Sequence, residues 1–142
     1  MKVLNEHILI LIVCVIVISS FCSCTPHKNL TVIADHELRD EQWREFNAIS
    51  EHFRKNVFPV CTEQLRLRMS CSGCEYIYII FRIEINAGGR LTGCTKVGEN
   101  VCGGKAPAAL ERCFVEYLES ITFPRKLRSM IIQTRLGTGL KC

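Results

Sequence analysis

The sequence predicts an α+β domain: a three-stranded antiparallel sheet of order 2-1-3 with helices on one face. Three observations predict it. The first is Glu75–Asn86, EYIYIIFRIEIN, where Ile77, Ile79, Phe81, Ile83 and Ile85 fall on one face at period two, a strand signature in β-branched and aromatic residues. The second is the pair of amphipathic helical stretches on either side of it. The third is Asn86-Ala87-Gly88-Gly89, residues that tolerate positive φ and so supply a hairpin turn. No other segment is as long and apolar as Glu75–Asn86, so that strand belongs in the middle of the sheet.

The 142 residues suit one modest domain once any targeting segment is set aside. Residues 1–24 are expected to be a signal peptide or membrane anchor, 25–39 a tether, and 40–142 the domain. Ile8–Ile18 is an apolar run of eleven residues, short of the roughly 20 a membrane span needs and suited to a signal-peptide core. Small residues follow, and cleavage before Cys24 would leave a cysteine at the mature N-terminus. Phe21-Cys22-Ser23-Cys24 loosely resembles a lipobox with Phe in place of Leu. Lipidation of Cys24, plain secretion and an uncleaved anchor stand as the alternatives. Asn29-Leu30-Thr31 is a glycosylation sequon if the source is eukaryotic. Ten cysteines belong with an oxidising compartment. The chain is therefore expected to be exported, periplasmic or membrane-anchored, with secretion as the alternative. A net charge of +4 with Lys and Arg scattered among the acids points away from nucleic acid.

Within the chain, Leu30–Ala34 has the composition of a minor strand. Asp40 is placed to cap a helix in which Trp43, Phe46, Ile49, Phe53 and Val57 form one apolar stripe. Pro59 removes a backbone donor and is expected to end or kink that helix. A second helical piece, Val60–Met69, aligns Cys61, Leu65 and Met69, and Ser70–Gly73 makes a turn. After the long strand, Arg90–Val97 returns with Leu91 and Val97 on one face and Cys94 on the other. Gly98–Lys105 is a Gly-rich loop, more a flexible turn than a phosphate cradle. Pro107–Ile121 is the clearest helix, with Leu110, Cys113, Phe114, Tyr117, Leu118 and Ile121 on one face. Phe123-Pro124 stops it, and Ser129–Leu136 is the third strand, placed by a right-handed crossover on the free edge of the first.

No residue set names a reaction. Cys71-Ser72-Gly73-Cys74 is a CxxC, but it precedes a strand, where no helix dipole lowers a thiol pKa. A zinc ribbon would need a second CxxC, and Cys94 with Cys102 has the wrong spacing. His7, His27, His36 and His52 share no motif with a cysteine or paired acid. Glu111, Glu116 and Glu119 sit on a solvated helix face. Tyr76 and Tyr78 either cover the second face of the sheet or form a contact patch. No cofactor and no catalytic residue is expected.

Cys61, followed by IYIIFRIEINAGGRLTGCTKV and then LERCFVEYLESITFP, resembles the AgmX/PglI-type relatives of the TonB C-terminal domain. Gly89-Arg90-Leu91 matches their strand glycine with its following apolar residue, and Cys113 stands ten residues before Phe123-Pro124. The resemblance covers roughly Phe53–Leu136. Ile121 stands where that family usually has Trp, and the chain carries no long Pro-rich stretch. The resemblance implies a non-catalytic, protein-binding role in a cell-envelope assembly. Its physical mode would be β-augmentation, with the open edge of the third strand, Met130, Ile131, Ile132, Gln133, Thr134 and Arg135, pairing with an extended segment of an envelope protein. The alternatives are a disulfide-stapled secreted structural protein with no edge-strand partner, and a CxxC thiol-redox protein.

Cys61 and Cys113 lie on apolar helix faces that cover the same side of the sheet, so they are expected to pair, and the resemblance adds that these helices commonly carry a cysteine each. Two buried free thiols are the alternative. Cys94 with Cys102 would then staple the hairpin exit, and Cys71 with Cys74 would close a small loop. Cys142 is left over, with a CxxC cysteine as its other possible partner.

Overall fold

The computed structural model describes residues 30–67 and 74–139. The signal region, Cys24, Asn29, Met69, the turn with Cys71, and Cys142 lie outside the described residues. In chain order the elements are β1 (Val32–Ala34), α1 (Asp40–His52), a π-helical turn (Phe53–Val57), α2 (Phe58–Gln64), β2 (Tyr76–Ile85), β3 (Leu91–Val101), α3 (Ala108–Ser120) and β4 (Met130–Gly139), with short 3₁₀ turns at Asp35–Glu37 and Arg125–Leu127. The protein is a mixed α+β domain. Among the described residues no helix is long and apolar enough to cross a membrane.

The sheet has four strands rather than three, in the order β1-β4-β2-β3. β2 pairs antiparallel with β3 on one side and with β4 on the other. The added strand, β1, runs parallel to β4, with Val32, Ile33 and Ala34 opposite Ile131, Ile132 and Gln133. Residues expected to be tether thus form part of the sheet.

The inward residues of β2, Ile77, Ile79, Phe81, Ile83 and Ile85, are all buried. They meet Leu110, Phe114, Tyr117 and Leu118 of α3, Phe46 and Phe53 of the first helical run, and Ile132 and Leu136 of β4 in one core. Phe53 packs edge-on against Phe114, with ring centroids 4.7 Å apart. Burying a residue of this size contributes about 1.5–3 kcal/mol relative to exposure, so these helices hold the sheet from one side.

Several local expectations are revised. Asp40 is the first residue of α1, not its cap; the Arg39 amide donates to Gln42 Oε1 at 3.2 Å, and Asp40 adds negative charge to the first turn. Pro59 does not end the helical run. The ladder widens just before it, the Phe58 N–H donating to the Phe53 carbonyl five residues back, and Pro59 then sits in the first turn of α2, where its missing N–H costs little. β3 extends to Val101, and its pairing with β2 shifts register twice, between Ile80 and Phe81 and between Glu84 and Ile85. These bulges carry Leu91 and Cys94 to the same face, opposite Ile85 and Ile83, and leave Val97 exposed. At the hairpin turn, Asn86 Oδ1 accepts from the amides of Gly88 and Arg90, both at 2.9 Å. Gly89 there has φ +80°, and a Cβ on it would meet the Phe123 carbonyl at 2.5 Å.

Candidate functional site

A candidate binding groove of about 360 Å³ opens where β1 stops. Ala34 is the last residue of β1, opposite Gln133, and Asp35 is the first residue of the groove wall. One side is formed by Trp43, Asn47, Ser50 and Arg54, which recur at steps of three and four along the helical run and so line up. The opposite side is Arg135, Leu136 and Gly137 of β4. Phe46, Phe53 and Leu136 are buried beneath it, while Trp43 keeps 43% of its surface in solvent. The apolar stripe anticipated for α1 therefore breaks at Trp43, which stands on the groove instead of in the core.

β4 makes ladder contacts to β2 over its whole length, but to β1 only at Ile131–Gln133. Among the described strands, nothing pairs with the outer edge of Thr134–Gly139. That half-edge offers backbone donors and acceptors beside an apolar floor and an exposed indole, a combination that suits an extended peptide. Gly137 shapes it. Its φ is +133°, and a Cβ there would run into the Ile77 carbonyl, so only glycine fits.

The charges on the rim are partly engaged. Glu51 accepts from Lys55 at 3.0 Å and lies 3.6 Å from Arg54. The Lys55 bond, more than the nearby Arg54, holds its carboxyl below the usual carboxylate range. The Thr134 hydroxyl donates to Asp35 Oδ2 at 2.9 Å. The Arg135 guanidinium lies 5.2 Å from the centre of the Tyr78 ring, and Tyr78 meets Tyr76 edge-on at 6.4 Å. Both tyrosines are on the face of the sheet away from the helices, half-exposed or exposed. The groove lining contains no cysteine or histidine. Among the described residues, no group of three His, Cys, Asp or Glu side chains is arranged to hold a metal ion.

The anticipated binding edge is corrected by this arrangement. Of Met130, Ile131, Ile132, Gln133, Thr134 and Arg135, the three at Ile131–Gln133 are not an open edge, because β1 covers them. Ile132 and Thr134 are buried, and the apolar segment Val32–Ala34 lies beside this stretch as the next strand. The open part begins after it, at Thr134 and Arg135, and runs on to Gly139.

The cysteines divide differently as well. Cys61 is bonded to Cys113, with Cα atoms 5.9 Å apart, tying α2 to α3. Cys102 is bonded to Cys74, not to Cys94, with Cα atoms 4.3 Å apart. Cys94 lies opposite Ile83, whereas the Cys102 amide donates to the Tyr76 carbonyl at 2.8 Å. Seven strand positions separate those sites, about 23 Å at the usual rise, far beyond disulfide reach. With Cys74 so engaged, neither the small Cys71–Cys74 loop nor a CxxC dithiol is formed. Cys94 is a free, half-buried thiol. Burial first, then the charges of Glu119 and Glu111, push its pKa up to about 11.

The Phe123 amide donates to the Gly89 carbonyl at 2.8 Å, joining the hairpin turn to the chain after α3. Comparison with protein-family models, with curated proteins and with solved structures finds no match for this chain.

Proposed function

We propose that this is an exported, non-catalytic domain of the cell envelope that binds an extended segment of another protein as an added strand on Thr134–Gly139. One observation carries the reading. The unpaired half of β4 borders a groove whose wall holds an exposed tryptophan, and aromatic side chains in such places dominate binding energy. The incoming backbone would pair with β4, and one alternate side chain would lie against Trp43 over Phe46 and Phe53. The two disulfides among the described residues support an oxidising compartment, and the apolar run at Ile8–Ile18 supports export to it. The motif resemblance to TonB C-terminal domains supports an envelope partner.

The experiment is a selection of random displayed dodecapeptides on the oxidised domain, followed by affinity measurement on Trp43→Ala and on Val97→Ala at the opposite edge. The expected result is enriched peptides that lose about thirtyfold or more in affinity with Trp43→Ala, the scale of a hot-spot aromatic, and are unaffected by Val97→Ala. Failure to enrich, or peptides indifferent to Trp43→Ala, would leave a disulfide-stapled domain without a partner on this edge.

A further inference from the structure

We infer that β1 is a displaceable strap that covers Ile131–Gln133, the stretch of β4's outer edge just before the proposed binding edge, and resembles a partner that would extend across both. The inference rests in part on the reading above. β1 contributes only three paired residues, against ten between β4 and β2. None of the three is buried: Val32 is exposed, and Ile33 and Ala34 are partly covered. β4 does not depend on it, since Ile132, Thr134 and Leu136 are held in the core beside β2. Beyond the strap, Leu38 is buried, so lifting can stop there without disturbing α1. Such short, exposed pairings open locally at far lower free energy than a core ladder.

The fastening also describes the ligand. Thr134 is 2% exposed, and its hydroxyl is satisfied by Asp35. Once the strap lifts and another chain covers the edge, that hydroxyl needs a new acceptor or stays buried and unpaired, at a cost of about 1–3 kcal/mol. A segment that replaces β1 therefore does best as its mimic. It would be a parallel strand with apolar, β-branched residues opposite Ile131 and Ile132, followed by an acidic residue at Thr134. Its far end would continue past Arg135 into the groove. The covered fraction lowers the apparent affinity of any such ligand in proportion.

Two measurements on the full chain test this. The first needs no partner: amide hydrogen exchange of the wild type. The amides of Val32–Ala34 are expected to exchange at least about a hundredfold faster than those of Ile79–Ile83, through a local opening insensitive to low denaturant. Exchange of both groups in one global step overturns the strap. The second is a titration, followed by ¹⁵N shifts, with the synthetic peptide Leu-Thr-Val-Ile-Ala-Asp-His-Glu, the sequence of residues 30–37. It is run on wild type, on Ile33→Asp, and on Asp35→Ala as the milder variant if the first does not fold. The peptide is expected to bind the variant at least about tenfold tighter than wild type, and to weaken when its own Asp becomes Ala. Equal affinity for wild type and variant, or no binding to either, overturns the mimicry. Failure of the exchange measurement leaves the Trp43-dependent groove standing, and failure of the groove leaves the strap's opening standing, so the two readings fail separately.

Discussion

Replacing both Cys61 and Cys113 with alanine removes the bridge between α2 and α3, and the structure sets the size of the effect. The bond closes a loop of 52 residues, worth about 4 kcal/mol in the chain-entropy model. The Cys74–Cys102 bond, with a separation of 28, lies inside that loop. With the inner bond intact, the outer one closes an effective loop of about 24 residues, and its contribution falls to about 3.5 kcal/mol. A domain of this size has about 5–15 kcal/mol in all, so the double variant should fold but sit near the bottom of that range. The assay is urea unfolding of wild type and variant without reductant, compared at their midpoints, with non-reduced peptide mapping of the wild type. Mapping should return Cys61 with Cys113 and Cys74 with Cys102. A double variant within about 1 kcal/mol of wild type, or any other partner for Cys61, would refute the argument.

Three further outcomes follow from single side chains. Cys94, half-buried and with its pKa raised to about 11, should resist iodoacetamide at pH 8 in the folded protein and react once the chain is unfolded; rapid alkylation of the native form would contradict its placement. Glu99 accepts from the Ala106 amide at 2.9 Å and from Lys96 at 3.1 Å, and these bonds, the backbone one first, lower its pKa. Because the folded value lies below the unfolded one, its contribution is present above the ordinary Glu range near about 4.3 and is lost as pH falls through the folded value. Glu99→Gln should therefore flatten the acid side of the stability profile, and an unchanged slope would remove this bond from the account. Gly137→Ala drives a Cβ into the Ile77 carbonyl at φ +133°, and should cost more than about 3 kcal/mol by thermal or urea unfolding; a stable alanine variant would mean that β4 does not bend as described.

What was legible in the sequence is what depends on local period. The alternation in β2 and the stripe of α3 locate the central strand and its covering helix, because burial on one face forces the repeat. The bulges in β3 were not legible. Thr92 and Val97 look like ordinary strand positions, and only the register with β2 shows that each side of them is shifted. β1 was visible as a strand-like segment, yet its partner lies almost a hundred residues on, and three residues carry no register of their own. Trp43 fits the helical period of Phe46 and Phe53 but stands on the margin of the stripe, where period alone does not separate core from groove wall. Cys94, Cys102 and Cys74 show the same limit. Spacing along the chain suggested one pairing, while the length of the hairpin sets Cys102 beside Cys74 and Cys94 far down the strand.

On the reading proposed above, the outer edge of β4 after Gln133 takes an added strand. That reading is tested most directly by amide hydrogen exchange of the oxidised domain with and without a selected peptide whose binding depends on Trp43. Slowed exchange is expected within Thr134–Gly139, with no change along Leu91–Val101, the opposite edge of the sheet. Slowing confined to that opposite edge or to the face bearing Tyr76 and Tyr78, or binding with no backbone amide protected, would contradict it.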